Sequence, residues 1–445
     1  MSLLESRNPL NQEVIGHVSI TSNTELHEKV SLSRAAQRSW AGKTLKERAE
    51  AVTGAYAKLS PYLEQLSQLI SLEMGKDARR AGFEVRGVLH NAEYFINSAL
   101  DAFRPESLGG RSQIQYQPLG VVAVISPWNY PLAMANNLII PSLVAGNSVI
   151  LKPSEHTPLV ADLFVKALQE SLPENLVQIV HGAGEVGRAL VKAEINMVAF
   201  TGSLEAGRNI MAGAALDLKR LVMELGGNDP MIVMRNADLK AAARFAVASS
   251  FENAGQMCTS TERVYVDASI AKAFEHEVVA VASQYQTGPW NQPGVNIGPI
   301  VNPHQHQKIV DQLIDAEANG ARFLLGYARQ KAPYIEATVV SNLSKEMRLE
   351  NEETFGPVVA IAEFDSIDEA VKRANDSVYG LGAVVFGGAN AREVAERLEA
   401  GMVSVNQGVG GMGDSPWVGA KQSGFGFHGS KAGNRQFTQV RVMSY

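Results

Sequence analysis

Five short apolar runs, each leading into a polar or glycine-rich turn, constrain this chain more than any other feature. They are Val121-Val122-Ala123-Val124-Ile125, Ser148 to Leu151, Leu176 to Val180, Met197 to Phe200 and Leu221 to Met223. Helical stretches separate most of them. Strands alternating with helices build a parallel, doubly wound sheet with helices on both faces. Such sheets bind ligands beyond the carboxyl ends of their strands. There the chain carries Ser126-Pro127-Trp128-Asn129-Tyr130-Pro131, Lys152-Pro153-Ser154-Glu155, Gly182-Ala183-Gly184-Glu185-Val186-Gly187, Phe200-Thr201-Gly202-Ser203 and Glu224-Leu225-Gly226-Gly227. Chemistry gathered at strand tips is what a nucleotide-dependent α/β enzyme needs.

A second α/β region follows from about Pro230. Its strands are read at Met231 to Met234, Arg263 to Val266, Val358 to Ile361 and Gly382 to Phe386, and its helices at Lys240 to Ser250, Pro303 to Asn319 and Ile367 to Ala374. The first hundred residues read as helical, with apolar residues at helical spacing from Leu45 to Leu59 and from Leu63 to Met74. Ser112 to Gln117 and Gln436 to Ser444 alternate apolar and polar residues, which suits an antiparallel flap whose edges pair with another subunit. The resulting division is 1–106 with 118–227 for the nucleotide, 228–420 for catalysis, and 107–117 with 421–445 for assembly.

The 445 residues are 45% hydrophobic, enough for a large core in two or three domains. A net charge of -6, without blocks of like charge, makes nucleic acid a poor partner. No apolar run approaches the ~18 residues that cross a bilayer. The start, Met1-Ser2-Leu3-Leu4-Glu5-Ser6-Arg7, does not have the pattern of a signal peptide. These features lead us to expect a soluble cytoplasmic protein that keeps its thiol reduced.

That thiol is unique. Cys258 is the one cysteine, in Asn253-Ala254-Gly255-Gln256-Met257-Cys258-Thr259. It can form no intrachain disulfide, and one sulfur cannot make a Cys-rich metal site, so no metal is expected. An inert buried thiol and a nucleophile both remain open. Other motifs carry two readings as well. Gly182 to Gly187 matches G-x-G-x-x-G between strand and helix, yet no clear acidic residue follows some 20 positions on, so the pattern alone does not assign it a pyrophosphate. Lys152 and Glu155 suit ribose hydroxyls or a solvated helix start. Glu224 suits a general base or a surface salt bridge. Asn129 suits an oxyanion donor or a turn before Pro131.

Taken together and in order, Pro127-Trp-Asn129, Lys152-Pro-Ser-Glu155, Phe200-Thr-Gly-Ser203, Glu224-Leu-Gly-Gly227, Gly255-Gln-Met-Cys258, Glu353-Thr-Phe355-Gly-Pro357 and Pro416-Trp-x-Gly-x-Lys-x-Ser-Gly424 resemble the aldehyde dehydrogenase superfamily, from about Asn8 to the C-terminus. The resemblance implies a Rossmann-like cofactor domain, a second α/β catalytic domain and a small β oligomerisation flap. It implies Cys258 as nucleophile, Glu224 as the base that activates the deacylating water, and Asn129 with the Cys258 backbone N–H as oxyanion hole. Lys152 and Glu155 would hold the adenosine ribose, Ser203 the pyrophosphate and Glu353 the nicotinamide ribose, with Phe355 packing nearby. Ser126, Trp128, Ser154, Gly184, Gly187 and Leu225 complete the implied cofactor set.

The implied reaction is oxidation of an aldehyde to a carboxylic acid through a cysteine thiohemiacetal and thioester. Family members that pass the acyl group to coenzyme A tend to lack the base at Glu224, so hydrolysis is expected. A carboxylate at Glu155 accepts from a ribose 2′-hydroxyl and repels a 2′-phosphate, so NAD is expected over NADP. Substrate-pocket candidates are Tyr130, Asn137, Glu252, Met257 and Thr259. Relatives that take succinate semialdehyde carry arginines where this chain has Glu252 and Asn137, so dicarboxylic semialdehydes are expected to be poor substrates. Glu252 would either welcome an ammonium group, as in aminoaldehydes, or point to solvent. A homodimer or higher homo-oligomer is expected. A catalytically silent NAD-binding relative is the rival reading.

Overall fold

The computed structural model describes residues 2–411 and 413–445. Two large sheets dominate it. The first has six strands in the order Gly424–Phe425, Arg220–Glu224, Met197–Thr201, Val121–Ile125, Ser148–Lys152 and Val177–Ile179. All neighbours are parallel except the short first strand, which pairs antiparallel with Arg220–Glu224. Val121–Ile125, Ser148–Lys152 and Met197–Thr201 are buried at every position, as strands covered on both faces must be. The chain starts at Val121–Ile125, moves outward on one side, then returns to the other. The crevice between Val121–Ile125 and Met197–Thr201 is therefore the switch point at which such sheets bind ligands.

Local chemistry fixes the helices around this sheet. Pro131 opens the helix Pro131–Ala145, where its missing N–H costs nothing, and Gly146 closes it in a left-handed cap. Glu84 Oε1 accepts the N–H groups of Leu132 and Ala133 at 3.0 and 3.1 Å, which sets a carboxylate at the positive end of that helix. Thr44 and Glu47 form a reciprocal capping box on Leu45–Ala57.

The second sheet has seven strands: Arg322–Leu325, Thr338–Ser341, Val358–Phe364, Thr261–Asp267, Asp229–Val233, Gly382–Phe386 and Met402–Val405. Only its first pair is antiparallel. A third sheet joins Thr438–Ser444, Ser112–Pro118 and Glu106–Ser107, all antiparallel. Among the described residues, no helix is long and apolar enough to cross a membrane.

Three features differ from the sequence reading. Leu3–Arg7 and Val14–Ser19 form an antiparallel hairpin where helix was expected. Its short strands mix apolar and polar residues and about half of them are exposed; Leu4 pairs with buried Val18, and the Ser6 hydroxyl donates to buried Glu73 at 2.7 Å. The strands Arg322–Leu325, Thr338–Ser341 and Met402–Val405 went unread. Gly424–Phe425, grouped by sequence with the assembly segment, completes the edge of the first sheet instead.

Candidate active site

The carboxyl edge of the first sheet borders a cavity of about 520 Å³. Ser126, Trp128, Lys152, Ser154, Glu155, Gly184, Gly187, Thr201, Gly202 and Ser203 line it, together with Arg188. Ser203 caps the helix Leu204–Ala215, its Oγ accepting from Ala206 N–H at 3.3 Å. A helix start at a cavity wall offers backbone N–H groups to an anion. Lys152 is buried, donates to Pro153 O at 2.9 Å and lies 3.7 Å from Glu155. Burial pulls its ammonium below the ordinary lysine value, and Glu155 opposes that shift.

Pro127, Trp128, Thr201, Gly202 and Ser203 also line a second cavity, of about 330 Å³, so the two adjoin. Asn129, Tyr130, Met134, Leu225, Met257, Cys258, Gln305, Lys308, Glu353, Phe355 and Trp417 enclose it. A nucleotide fits this donor set. The long lobe has a helix start and Glu155, the short lobe has Glu353, and Trp128 and Phe355 meet edge to face at 5.4 Å where the lobes join.

Cys258 is half-buried in a loop that precedes the strand Thr261–Asp267. Three successive residues before it, Asn253, Ala254 and Gly255, hold positive φ angles of 53, 57 and 72°. Backbone strain of this kind persists only where surrounding bonds dictate it. Here Asn253 Nδ2 donates to Asn129 O and Gln256 O, and Gln256 Oε1 accepts from Val301 N–H at 2.9 Å. A Cβ on Gly255 would lie 2.0 Å from the Gly356 carbonyl carbon, so only glycine permits the approach. Asn129 is buried, and its Nδ2 donates to Gln256 O at 3.1 Å.

Glu224 ends its strand and is buried, not a surface residue. Its Oε1 accepts the Trp417 indole N–H at 3.0 Å, and among the described residues its buried Oε2 has no hydrogen-bond partner. Burial lifts the carboxyl above the ordinary range, while Trp417, Cys258 and Thr201 pull it back. Burial also pushes the Cys258 thiol well above its ordinary value, and the Glu224 charge adds to the rise. A Cβ on Gly227 would lie 2.5 Å from Cys258 O, so the turn after Glu224 must be this lean to bring base and thiol segments together.

The loop bearing Glu353 and Phe355 is clamped on both sides. Glu262, four residues after the cysteine, accepts the N–H groups of Thr354 and Phe355 at 2.8 Å each. Gln305 Nε2 donates to the carbonyls of the same two residues at 3.0 and 3.1 Å. Phe355 is thereby held at a φ of 55°. Glu353 Oε1 accepts from Gly227 N–H at 3.0 Å. Burial, with Glu353 next, pushes Glu262 up to about 8.

Of the substrate-pocket candidates, Tyr130 and Met257 line the short lobe, whereas Asn137 and Thr259 line neither cavity. On the helix Pro131–Ala145 it is Met134, one turn earlier, that faces the lobe. Glu252 is neither free nor solvated alone. Arg80 Nε donates to its two oxygens at 3.0 and 2.9 Å, and the Tyr130 hydroxyl donates to it at 3.3 Å. Arg80 also pairs with Asp77 at 2.9 Å. Beneath Tyr130, the buried Lys76 ammonium lies 3.6 Å from the ring centre and pairs with Glu84 at 2.5 Å. Three carboxylates, Asp77, Glu84 and Glu252, thus surround two cations, Lys76 and Arg80. Sequence reasoning missed Arg80, Met134, Glu262, Gln305 and Lys308; all but Glu262 lie at least 45 residues from Cys258, and none belongs to a motif used above.

A doubly wound sheet with a nucleotide-sized cleft at its switch point, running to a thiol and a buried carboxylate, defines a nicotinamide-nucleotide oxidoreductase. Residues 2–443 match the aldehyde dehydrogenase family, and the chain belongs to it. It is 34% identical over 448 residues to a protein of Sinorhizobium fredii named probable succinate-semialdehyde dehydrogenase, NADP(+), with 98% of this chain and 91% of that protein covered. It is 32% identical to a betaine aldehyde dehydrogenase of Bacillus subtilis, covering 98% and 92%. Among solved structures, aldehyde dehydrogenase C from Pseudomonas syringae, complexed with NAD+ and octanal, superposes with a TM-score of 0.94 at 32% identity, covering 100% and 93%. The chain is thus an oxidoreductase that oxidises aldehydes with NAD(P).

Proposed function

We propose that Cys258, Glu224 and Asn129 carry the reaction. The observation behind this is their convergence: the thiol and Asn129 line one lobe, and the buried Glu224 carboxylate lies against the thiol. The resting thiol is neutral, so it gives up its proton to solvent as the sulfur attacks, which leaves the Glu224 carboxylate unprotonated for the later hydrolysis. The new oxyanion is met by the second Asn129 amide hydrogen and the Cys258 N–H. Bound NAD(P) supplies the hydride acceptor. Lys152 and Glu155 hold its outer ribose, Ser203 faces its pyrophosphate, and Glu353 holds its inner ribose. What remains on sulfur is a thioester. Water attacks its carbonyl carbon while Glu224 takes the water proton, the C–S bond breaks, and a carboxylic acid leaves. Assaying acid release beside acyl-coenzyme A formation tests this; dominant acyl-coenzyme A overturns it.

NAD is preferred to NADP, because Glu155 stands at the cavity wall, although Lys152 offsets part of its charge. A higher kcat/KM with NADP would contradict this. The substrate is an uncharged aldehyde: Arg80 is engaged by both Asp77 and Glu252, and tyrosine, tryptophan and methionine wall much of the lobe. Succinate semialdehyde and aminoaldehydes should both have lower kcat/KM than an aliphatic aldehyde of equal length. The enzyme works as a homo-oligomer in the cytoplasm. Val440 and Val442, exposed on the outer strand of the third sheet, support the pairing, and a reducing compartment suits the thiol. A monomer by light scattering would refute the assembly.

A further inference from the structure

The segment from Trp417 to Phe425 grips Glu224 from two sides. Gly424 and Phe425 pair with the Glu224 and Met223 backbone, and Leu225 N–H donates to Ser423 O at 2.9 Å. The Trp417 side chain reaches the carboxylate itself, 193 positions away in sequence, and donates its indole N–H at 3.0 Å. Trp417 is held in turn by a backbone bridge to His428, N to O at 2.9 and 3.4 Å. The indole thus holds one oxygen of a buried glutamate, while the other, with Cys258 and Thr201 nearby, meets no hydrogen-bond partner among the described residues and can take a proton.

We infer that Trp417 is a positioning residue for Glu224: its indole fixes Oε1 so that Oε2 presents a free lone pair to the water that cleaves the thioester. This rests on Glu224 being the deacylating base. The donated bond also stabilises the charged carboxylate, so its loss should raise the pH at which the base becomes competent. The step it serves balances as written: water loses a proton to Glu224, its oxygen bonds to the acyl carbon, and sulfur departs with the C–S pair.

An activated aryl ester acylates a thiol without any cofactor, so acylation appears as a burst and deacylation as the steady rate. Trp417→Phe keeps an aromatic ring and removes the donor. The burst should persist, the steady rate should fall about tenfold, a value suited to losing one hydrogen bond to a charged group, and the acid limb should move to higher pH. In a Glu224→Gln background the same change should have no further effect. A parental steady rate and pH profile in Trp417→Phe overturns the inference, as does an equal fall in both backgrounds. Glu224→Gln at the parental rate overturns the base assignment itself, whereas a slow Glu224→Gln beside a parental Trp417→Phe overturns only the positioning role. Should Trp417→Phe not fold, Trp417→Leu removes the same donor.

Discussion

The two parallel sheets present opposite ends to one cleft. In the first, Lys152 ends its strand and Ser126 and Ser203 follow theirs, at the carboxyl edge. In the second, Cys258, Glu353 and Phe355 precede theirs, at the amino edge. The carboxyl edge comes with helix starts, so its backbone offers N–H groups and positive potential, which suit a nucleotide's phosphates. The amino edge has no such provision. There, side chains do the holding: Glu262 and Gln305 on one loop, Asn253 and Gln256 on another. Binding draws on backbone dipoles, whereas the chemistry draws on side chains from both edges, Cys258 and Glu262 at the amino edge and Glu224 at the carboxyl tip of Arg220–Glu224, and burial shifts all three upward.

The sharpest challenge to that division is Asn129, which stands on the first edge yet bonds to Gln256 on the second. Asn129→Ala should lower kcat about 100- to 1000-fold with the KM for NAD nearly unchanged; a shift confined to that KM would place Asn129 with the nucleotide. Glu262 crosses the other way. Glu262→Ala leaves the buried Thr354 N–H and the part-buried Phe355 N–H without acceptors, a loss of about 1–3 kcal/mol for the buried one and less for the other. Its Tm should fall and its KM for NAD should rise about tenfold, while iodoacetamide labels Cys258 at the parental rate. Loss of labelling would mean that Glu262 serves the thiol instead.

Smaller effects sharpen the contrast. Because burial raises the Glu224 carboxyl and a base must be deprotonated, kcat should decline as pH falls through a value above the ordinary carboxylate range. A decline only near pH 4 would point to an exposed base. Glu252→Gln should free part of the Arg80 charge and raise kcat/KM for succinate semialdehyde by roughly three- to tenfold. An unchanged value would show that Arg80 does not reach the substrate. Glu155→Gln should narrow the NAD preference by a few-fold at most, since Lys152 already screens that carboxylate.

How legible each half was in the sequence follows from the same contrast. Val121–Ile125 and Gly382–Phe386 were readable to the residue, because a fully buried parallel strand is a bare apolar run between turns. The strand tips of the first sheet therefore exposed their polar residues in plain order. At the amino edge the thiol's role came only through resemblance, since nothing about one cysteine in a loop separates a nucleophile from packing. The Arg80–Glu252 pair joins residues 172 positions apart and has no periodic signature. The N-terminal hairpin escaped because its short strands mix apolar and polar residues without clean alternation, and part of what ties it down is a hydroxyl bond to a glutamate 67 positions away.

The most direct test is to follow the sulfur during turnover. Glu224→Gln mixed with aldehyde and NAD, quenched in acid and mapped by mass spectrometry, should carry the acyl group of the substrate on the peptide containing Cys258, and Cys258→Ala should carry none and form no acid. Acid formed by Cys258→Ala at the parental rate, or an acyl group bound elsewhere, would contradict a reaction that runs through this thiol.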